Sequence, residues 1–275
     1  MTKRVFSWII ERLNLGQKVA LASVLSTQGS VPGKTGAKLA LTKDEITGTI
    51  GGAGLELQVI SRLRDLLEKQ NPFAEVISFG LNKGAKGYEV IPLDSLCGGR
   101  VTLSLEVMIP MPHVLMMGGG HCAEALSEIL SALDWDFSVC DSREEYASLN
   151  GAKESIHASV ETFFENENAT SLSRFSDILL LGHDWKEDEM RLISLLGLNY
   201  QGRLGVIGSK SKWKAFVEAA NSAGIEKSLL EAVRCPIGLN IGAETPEEIA
   251  VAVAAEIMGL HKQVQVTTPN WRQKE

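Results

Sequence analysis

No run of residues approaches the roughly 18 uninterrupted apolar positions that a membrane-spanning helix requires, so the sequence offers no span across a bilayer. The opening MTKRVFSWIIERLNLG carries charges every few residues where a secretory leader would be apolar, and a cytoplasmic protein is expected. The four cysteines, Cys97, Cys122, Cys140 and Cys235, form no CxxC pair. That spacing excludes a locally readable zinc site or disulfide framework and predicts free thiols. An excess of basic charge is also missing: 27 Lys and Arg stand against 34 Asp and Glu, a net charge of -7. A general nucleic-acid binder needs a basic surface to displace counterions, so that class is set aside. A small anion remains admissible, because backbone N–H groups hold phosphate without net positive charge. Repeats and low-complexity tracts are absent, and 44% hydrophobic with 22% charged residues describes an ordinary globular chain.

At 275 residues the chain is long enough for two domains with cores of their own. The boundary falls at Pro110-Met111-Pro112-His113, where proline neither extends a helix nor continues a central ladder, giving domains 1–110 and 111–275. The first reads as α+β: a short helix near 4–14, strands at 19–27, 37–42, 46–52, 74–81 and 100–109, and a helix over 55–70. In that longer helix Leu55, Val59, Leu63, Leu66 and Leu67 share one face. The second half alternates short buried strands with helices, which implies a doubly wound, Rossmann-like parallel sheet. Its last helix has a sharp start, with Thr245 as N-cap, Pro246 in the first turn and Glu248 completing a capping box. The polar stretch from Glu144 to Ser176 carries no assignable pattern.

MMGGGHCAEAL at 116–126 follows a predicted strand and opens a helix. Gly118, Gly120 and Ala123 fit GxGxxG/A: the first glycine allows the turn, the second admits a pyrophosphate, and the small third residue packs helix on strand. Asp141 ends the next strand, where a carboxylate would take ribose hydroxyls. Such glycines also serve packing alone. His121 sits within the elbow and is expected to point outward. His183-Asp184 lies at the C-terminal end of a predicted strand and is either a ligand-contacting pair or a helix cap. Gly208-Ser209-Lys210 can present N–H groups to an anion but lacks P-loop spacing.

The first half is richer in glycine than folding needs. GSVPGKTGAKLAL (29–41) offers Ser30, Lys34 and Thr35 as donors, and GTIGGAGLELQ (48–58) places Gly51 and Gly52 at a helix N-terminus suited to an anion. Cys97 precedes Gly98 and Gly99 in a turn that a bulky ligand or another sulfur can approach. The other cysteines read as small core residues.

In this order, GSVPGKTGAKLAL, GTIGGAGLE, CGG at 97–99, MGGGHCAEAL with VCDSR, GHDWKEDE, YQGRLGVIGSKSK and CPIGLNIGAETPEEIAVAVAAEI resemble the XdhC/CoxI family of accessory proteins for xanthine dehydrogenase and related molybdenum hydroxylases. The resemblance spans nearly the whole chain and is most specific in GTIGG-G-LE and PIGLNIGAETPEEIA. It implies an XdhC/CoxI domain followed by a Rossmann domain. The implied role is a dimeric chaperone that holds molybdenum cofactor (molybdopterin) while a cysteine desulfurase supplies its sulfido ligand, then inserts it into the hydroxylase. On this resemblance Gly51, Gly52, Glu56, Cys97, Gly98 and Gly99 form the preferred cofactor site, with Cys97 able to contact molybdenum or the transferred sulfur. Gly118, Gly120, Ala123 and Asp141 are the second candidate set, for NAD(P), and His183 with Asp184 is a further cofactor-binding candidate pair. The sequence departs from the family at Gly33, usually Arg, with Lys34 beside it, at Gly182, commonly Thr, and at Ala53 in the glycine run. A dinucleotide-dependent oxidoreductase and a nucleotide-sensing regulator are the alternatives.

Overall fold

The computed structural model describes residues 2–69, 72–82, 90–93 and 98–264, and the chain divides into two units, Met1–Pro110 and Met111–Glu275. In chain order the first contains α1 (Thr2–Asn14), β1 (Val19–Gln28), β2 (Lys38–Leu41), β3 (Ile46–Thr49), α2 (Ala53–Leu67), β4 (Phe73–Gly80), β5 (Val90–Pro92) and β6 (Arg100–Met108). The strands form one sheet in the order β3-β2-β1-β6-β4-β5. Val101, Leu103, Leu105 and Val107 alternate along β6 and meet Leu55, Val59, Leu63 and Leu66, the apolar stripe of α2. A period of two on the strand thus faces a period of 3.6 on the helix. The other face holds α1, whose Val5 and Ile9 pack on Val19, Leu21 and Ala40. A register shift between Val24 and Ser26 marks a bulge in β1 just before the glycine loop that leads to β2. Bulges of this kind re-aim the end of a strand.

The second unit runs β7 (His113–Met117), α3 (His121–Ala132), β8 (Asp136–Asp141), β9 (Glu154–His157), α4 (Val160–Asn166), α5 (Ala169–Leu172), β10 (Asp177–Leu180), α6 (Trp185–Gly197), β11 (Arg203–Val206), α7 (Lys210–Ser222), α8 (Lys227–Glu231) and α9 (Pro246–Lys262). Its five strands are parallel, in the order β11-β10-β7-β8-β9. Every residue of β7 and β10 is buried, as parallel strands covered on both faces must be. Leu192, Leu195 and Phe216 from α6 and α7 cover one face, and Leu126, Leu130, Val253 and Ile257 from α3 and α9 cover the other. This is the doubly wound, Rossmann-like sheet, with its order reversing between β7 and β10. The capping box of α9 forms as expected: the Thr245 hydroxyl accepts the Glu248 N–H, and the Glu248 carboxylate accepts the Thr245 N–H. The stretch without pattern, 144–176, supplies β9, α4 and α5, and the two helices begin at capping Ser159 and Asn168. Among the described residues no helix is long and apolar enough to cross a membrane.

His113 opens β7 in the core, where its Nε2 pairs with Ser138 Oγ at 2.8 Å and its ring meets Phe175 edge-on at 4.7 Å. Its Nδ1 is buried without a partner among the described residues. Burial, aided by Lys153, lowers its pKa to about 4, so the ring is neutral at pH 7. Unfolding restores an ordinary imidazole that binds a proton below about pH 6.5. The stability gained from the neutral ring is therefore present above that pH and lost on acidification toward pH 4. Denaturant unfolding should show this as a loss of up to about 3 kcal/mol across the window, and His113→Gln should flatten the dependence.

Candidate functional site

The first unit brings together glycine stretches that are far apart in the sequence. The loop after β1 lies with Gln28–Val31 against Gly99 and with Pro32–Gly33 against Ile50–Gly52. A Cβ at Gly99 would sit 2.5 Å from Val31 Cγ1 and 2.6 Å from the Gln28 carbonyl oxygen. One added at Gly33 would strike the Ile50 carbonyl, and one at Gly51 would lie 2.5 Å from the Gly33 nitrogen. The family arginine therefore has no room at position 33 with this backbone, because Gly51 and Gly33 pack main chain on main chain. Gly51 also has φ 97°, a left-handed conformation that favours glycine.

Glu56 holds this turn from inside the first helical turn of α2. A single carboxylate oxygen accepts the Thr49 hydroxyl and the N–H groups of Ile50 and Gly51, the latter two at 3.1 Å. The glutamate expected to contact cofactor is thus engaged with its own chain. Beside the turn opens a cavity of about 470 Å³ lined by Pro32–Lys38, Thr49–Gly51, Thr2 and Val5. Lys34 is exposed at its edge, and Lys38 is half-buried, donating to Ser23 Oγ at 2.8 Å with Nζ 5.5 Å from the Phe6 ring centre. Lys38 and Thr49 are residues that sequence reasoning missed. Strand alternation was their signal, since Lys38 and Thr49 are paired across β2 and β3. Two ammonium groups, the hydroxyls of Thr2 and Thr35 and glycine backbone suit a phosphate-bearing ligand, while the Thr49 hydroxyl is given to Glu56. The volume is in the ordinary range for small-molecule pockets. Cys97, the proposed sulfur or molybdenum contact, lies outside the described residues.

In the second unit most of the glycine elbow is closed by neighbouring chain. A Cβ at Gly118 would lie 2.6 Å from the Leu181 carbonyl carbon and 2.8 Å from the Gly182 nitrogen, and one at Gly119 would strike the Tyr146 carbonyl. Gly120, the N-cap of α3, is open, with nothing among the described residues within 4 Å of that position. Ala123 is fully buried with Met116 and Val253, the close helix-on-strand packing its small size was expected to allow. Asp141 was expected to meet ribose hydroxyls; here it is buried and accepts the Gly119 N–H at 2.9 Å, the Arg143 N–H at 3.0 Å and both arms of the Arg143 guanidinium. Burial opposes its charge, yet the bonds from Arg143 and Gly119 prevail and hold the carboxyl at about 2. The Arg143 guanidinium also lies over the Tyr146 ring at 3.8 Å.

Beyond Leu181–Gly182 a charged cluster fills the interior. Arg191 pairs with Asp188 at 3.2 Å and Glu187 at 2.9 Å, Lys212 pairs with Asp188 at 3.0 Å, and Ser142 donates to Glu187. Asp188 and Arg191 are almost wholly buried. A Cβ at Gly182 would strike Asp188 and come within 2.9 Å of Arg191 Nη1, so the family threonine would not fit here. Sequence reasoning missed this cluster. Its signal was two opposite charges three apart on the α6 face that also carries Leu192 and Leu195. Of the other candidates, His121 and His183 are exposed, and Asp184 caps α6 by accepting the Lys186 N–H at 2.7 Å. Ser209 likewise caps α7. Burial raises the thiol pKa of Cys122 and Cys235 and takes Cys140 to about 12, which keeps all three protonated at neutral pH. Among the described residues no group of three or more His, Cys, Asp or Glu is placed to hold a metal ion.

An α+β unit with converging glycine turns is followed in the chain by a Rossmann-like unit. The family model described as the XdhC Rossmann domain matches residues 114–257, and the XdhC and CoxI family model matches residues 13–80. The chain belongs to the XdhC/CoxI family. It is 28% identical over 244 residues to the uncharacterized protein YqeB of Escherichia coli, covering 87% of this chain and 43% of that one. A probable xanthine dehydrogenase subunit of Bacillus subtilis is 26% identical over 162 residues, covering 57% of this chain and 45% of that one. These matches span less than half the length of either relative. A crystal structure of a xanthine dehydrogenase from Bacillus halodurans superposes with a TM-score of 0.49 at 16% identity, covering 96% of this chain and 98% of that one.

Replacing Glu56 tests the clamp on the N-terminal turn. Glu56→Ala strips an acceptor from one hydroxyl and two N–H groups and should cost about 2 kcal/mol in urea unfolding. Glu56→Gln keeps an oxygen in place and should cost about half as much.

Proposed function

We propose that this chain is an accessory factor for a xanthine dehydrogenase-type molybdenum hydroxylase, and that its N-terminal unit holds molybdenum cofactor during maturation. The reading is carried by the cavity beside the Gly33–Gly51 contact, where Lys34, Lys38, Thr2 and Thr35 provide cationic and hydroxyl donors beside glycine backbone. Membership of the XdhC/CoxI family and the name of the Bacillus subtilis relative point the same way. When bound, the cofactor would supply a molybdenum centre bearing a terminal sulfido ligand. Lys34 and Lys38 would neutralise the pterin's phosphate, and Thr2 and Thr35 would donate to it. The family resemblance assigns contact with the metal or its sulfur to Cys97, with Gly98 beside it in the sequence, whereas Gly99 is packed on the loop after β1. A cysteine desulfurase as sulfur donor and a homodimer as the working assembly complete the proposal. Transfer to the client would then be a binding exchange, in which this chain need not catalyse a reaction.

A second reading, a nucleotide held by the Rossmann-like unit, is favoured by one observation, the open position at Gly120. It is weakened by the internal commitments of Asp141 and by the closure over Gly118 and Gly119. Protein purified from a cofactor-competent host should retain molybdopterin in stoichiometric amount. Lys34→Ala and Lys38→Ala should each weaken retention about tenfold, the loss of one charge-assisted contact. Absence of molybdopterin together with tight NAD(P) binding that Gly120→Val abolishes would overturn the chaperone reading in favour of the nucleotide.

A further inference from the structure

A second cavity, of about 570 Å³, opens in the C-terminal unit between the end of β11, the loop 236–243 and the start of α9. Its walls come from the most family-specific stretch of the sequence, PIGLNIGAE, to which the cofactor reading assigns nothing. It lies beyond the carboxyl end of β11, the end of a parallel sheet outside which ligands commonly bind.

Among the described residues no charged side chain lines it, and Asn240 is the one lining residue with a polar side chain. Ile207, Ile237, Leu239 and Ile249 supply apolar surface. Gly208, Gly238 and Gly242 also line it, and a glycine can do so only with backbone atoms.

The loop is held firmly on the sheet and helix side. Ile237 N–H donates to the Val206 carbonyl, Gly238 N–H to the Glu256 carboxylate at 3.2 Å and Leu239 N–H to the Ala252 carbonyl at 3.1 Å. Glu256 is itself paired with Arg234, whose other arm reaches buried Asp177 at 3.1 Å. Three successive residues are thus anchored to β11 and α9, so the walls are preorganised.

A charged ligand would be desolvated there without a counter-ion, at a cost that uncharged walls do not offset. A plain hydrocarbon would offer the Asn240 amide at the wall no partner. We infer that this cavity binds an uncharged, planar nitrogen heterocycle, its faces on isoleucine and leucine and its edge on backbone groups of the glycine loop. Free nucleobases and the dihydronicotinamide end of a reduced dinucleotide share that chemistry. The site stands independently of the N-terminal cofactor reading.

Titration calorimetry of the full chain with hypoxanthine, NADH and benzoate tests the inference. Hypoxanthine or NADH should bind, benzoate should bind at least about tenfold more weakly, and Ile249→Trp should abolish the binding. Ile241→Glu places a charge at an exposed lining position that folding does not need, and should weaken binding about tenfold if Ile249→Trp fails to fold. Lys34→Ala should leave it unchanged. If Gly120→Val removes NADH but spares hypoxanthine, the ring belongs to a dinucleotide; if hypoxanthine alone binds, it is a free base. Either supports the site. Binding of neither, equal binding of benzoate, or affinity unmoved by both lining variants would overturn it.

Discussion

Glu56 and Asp141 perform the same physical task in the two units: each turns a carboxylate onto backbone N–H groups of a glycine turn. Glu56 collects Ile50, Gly51 and the Thr49 hydroxyl, while Asp141 collects Gly119 and Arg143. Glycine turns are costly to order because glycine loses the most conformational freedom on folding. A buried acceptor offsets that cost and satisfies donors that would otherwise be desolvated. The close main-chain contacts at Gly33 with Gly51, and at Gly118 with Leu181–Gly182, occur beside these clamped turns. The candidate turn of each unit therefore rests on an internal carboxylate.

The consequence for ligand binding differs between the units. In the first, the clamp closes the turn yet leaves Lys34 and Lys38 at the border of a cavity. In the second, Asp141 is matched by Arg143, and Asp188 and Glu187 are matched by Arg191 and Lys212. Charge there is balanced within the protein, and buried pairs of this kind would be strongly disfavoured by removal of either member. An elbow of the dinucleotide-binding pattern thus coexists with an interior that neutralises its own charges.

Much of this was readable before folding. The α2 stripe, the strand alternation of β6 and the cap of α9 are written in residues no more than a turn or two apart. The burial of Ala123 and the capping by Asp184 were available as readings of their local context. The short β9, α4 and α5 were not, because their stretch is polar and too brief for a period to emerge. Asp141 shows the limit for the site: its place at the end of a strand was evident, but its partner at Gly119 lies 22 residues away.

Local periodicity and capping chemistry determine element type and fold class here, since helix and strand respond to neighbours within a few residues. They also carry the family signature, which resides in ordered short stretches. Long-range approach decides which glycines pack on neighbouring chain and which stay open. Gly33 meets Ile50, Gly118 meets Leu181, and Asp188 meets Lys212 from a different helix. Such contacts depend on how separate elements stack in space, and a pattern of spacing along one chain does not encode the distance between two of its turns.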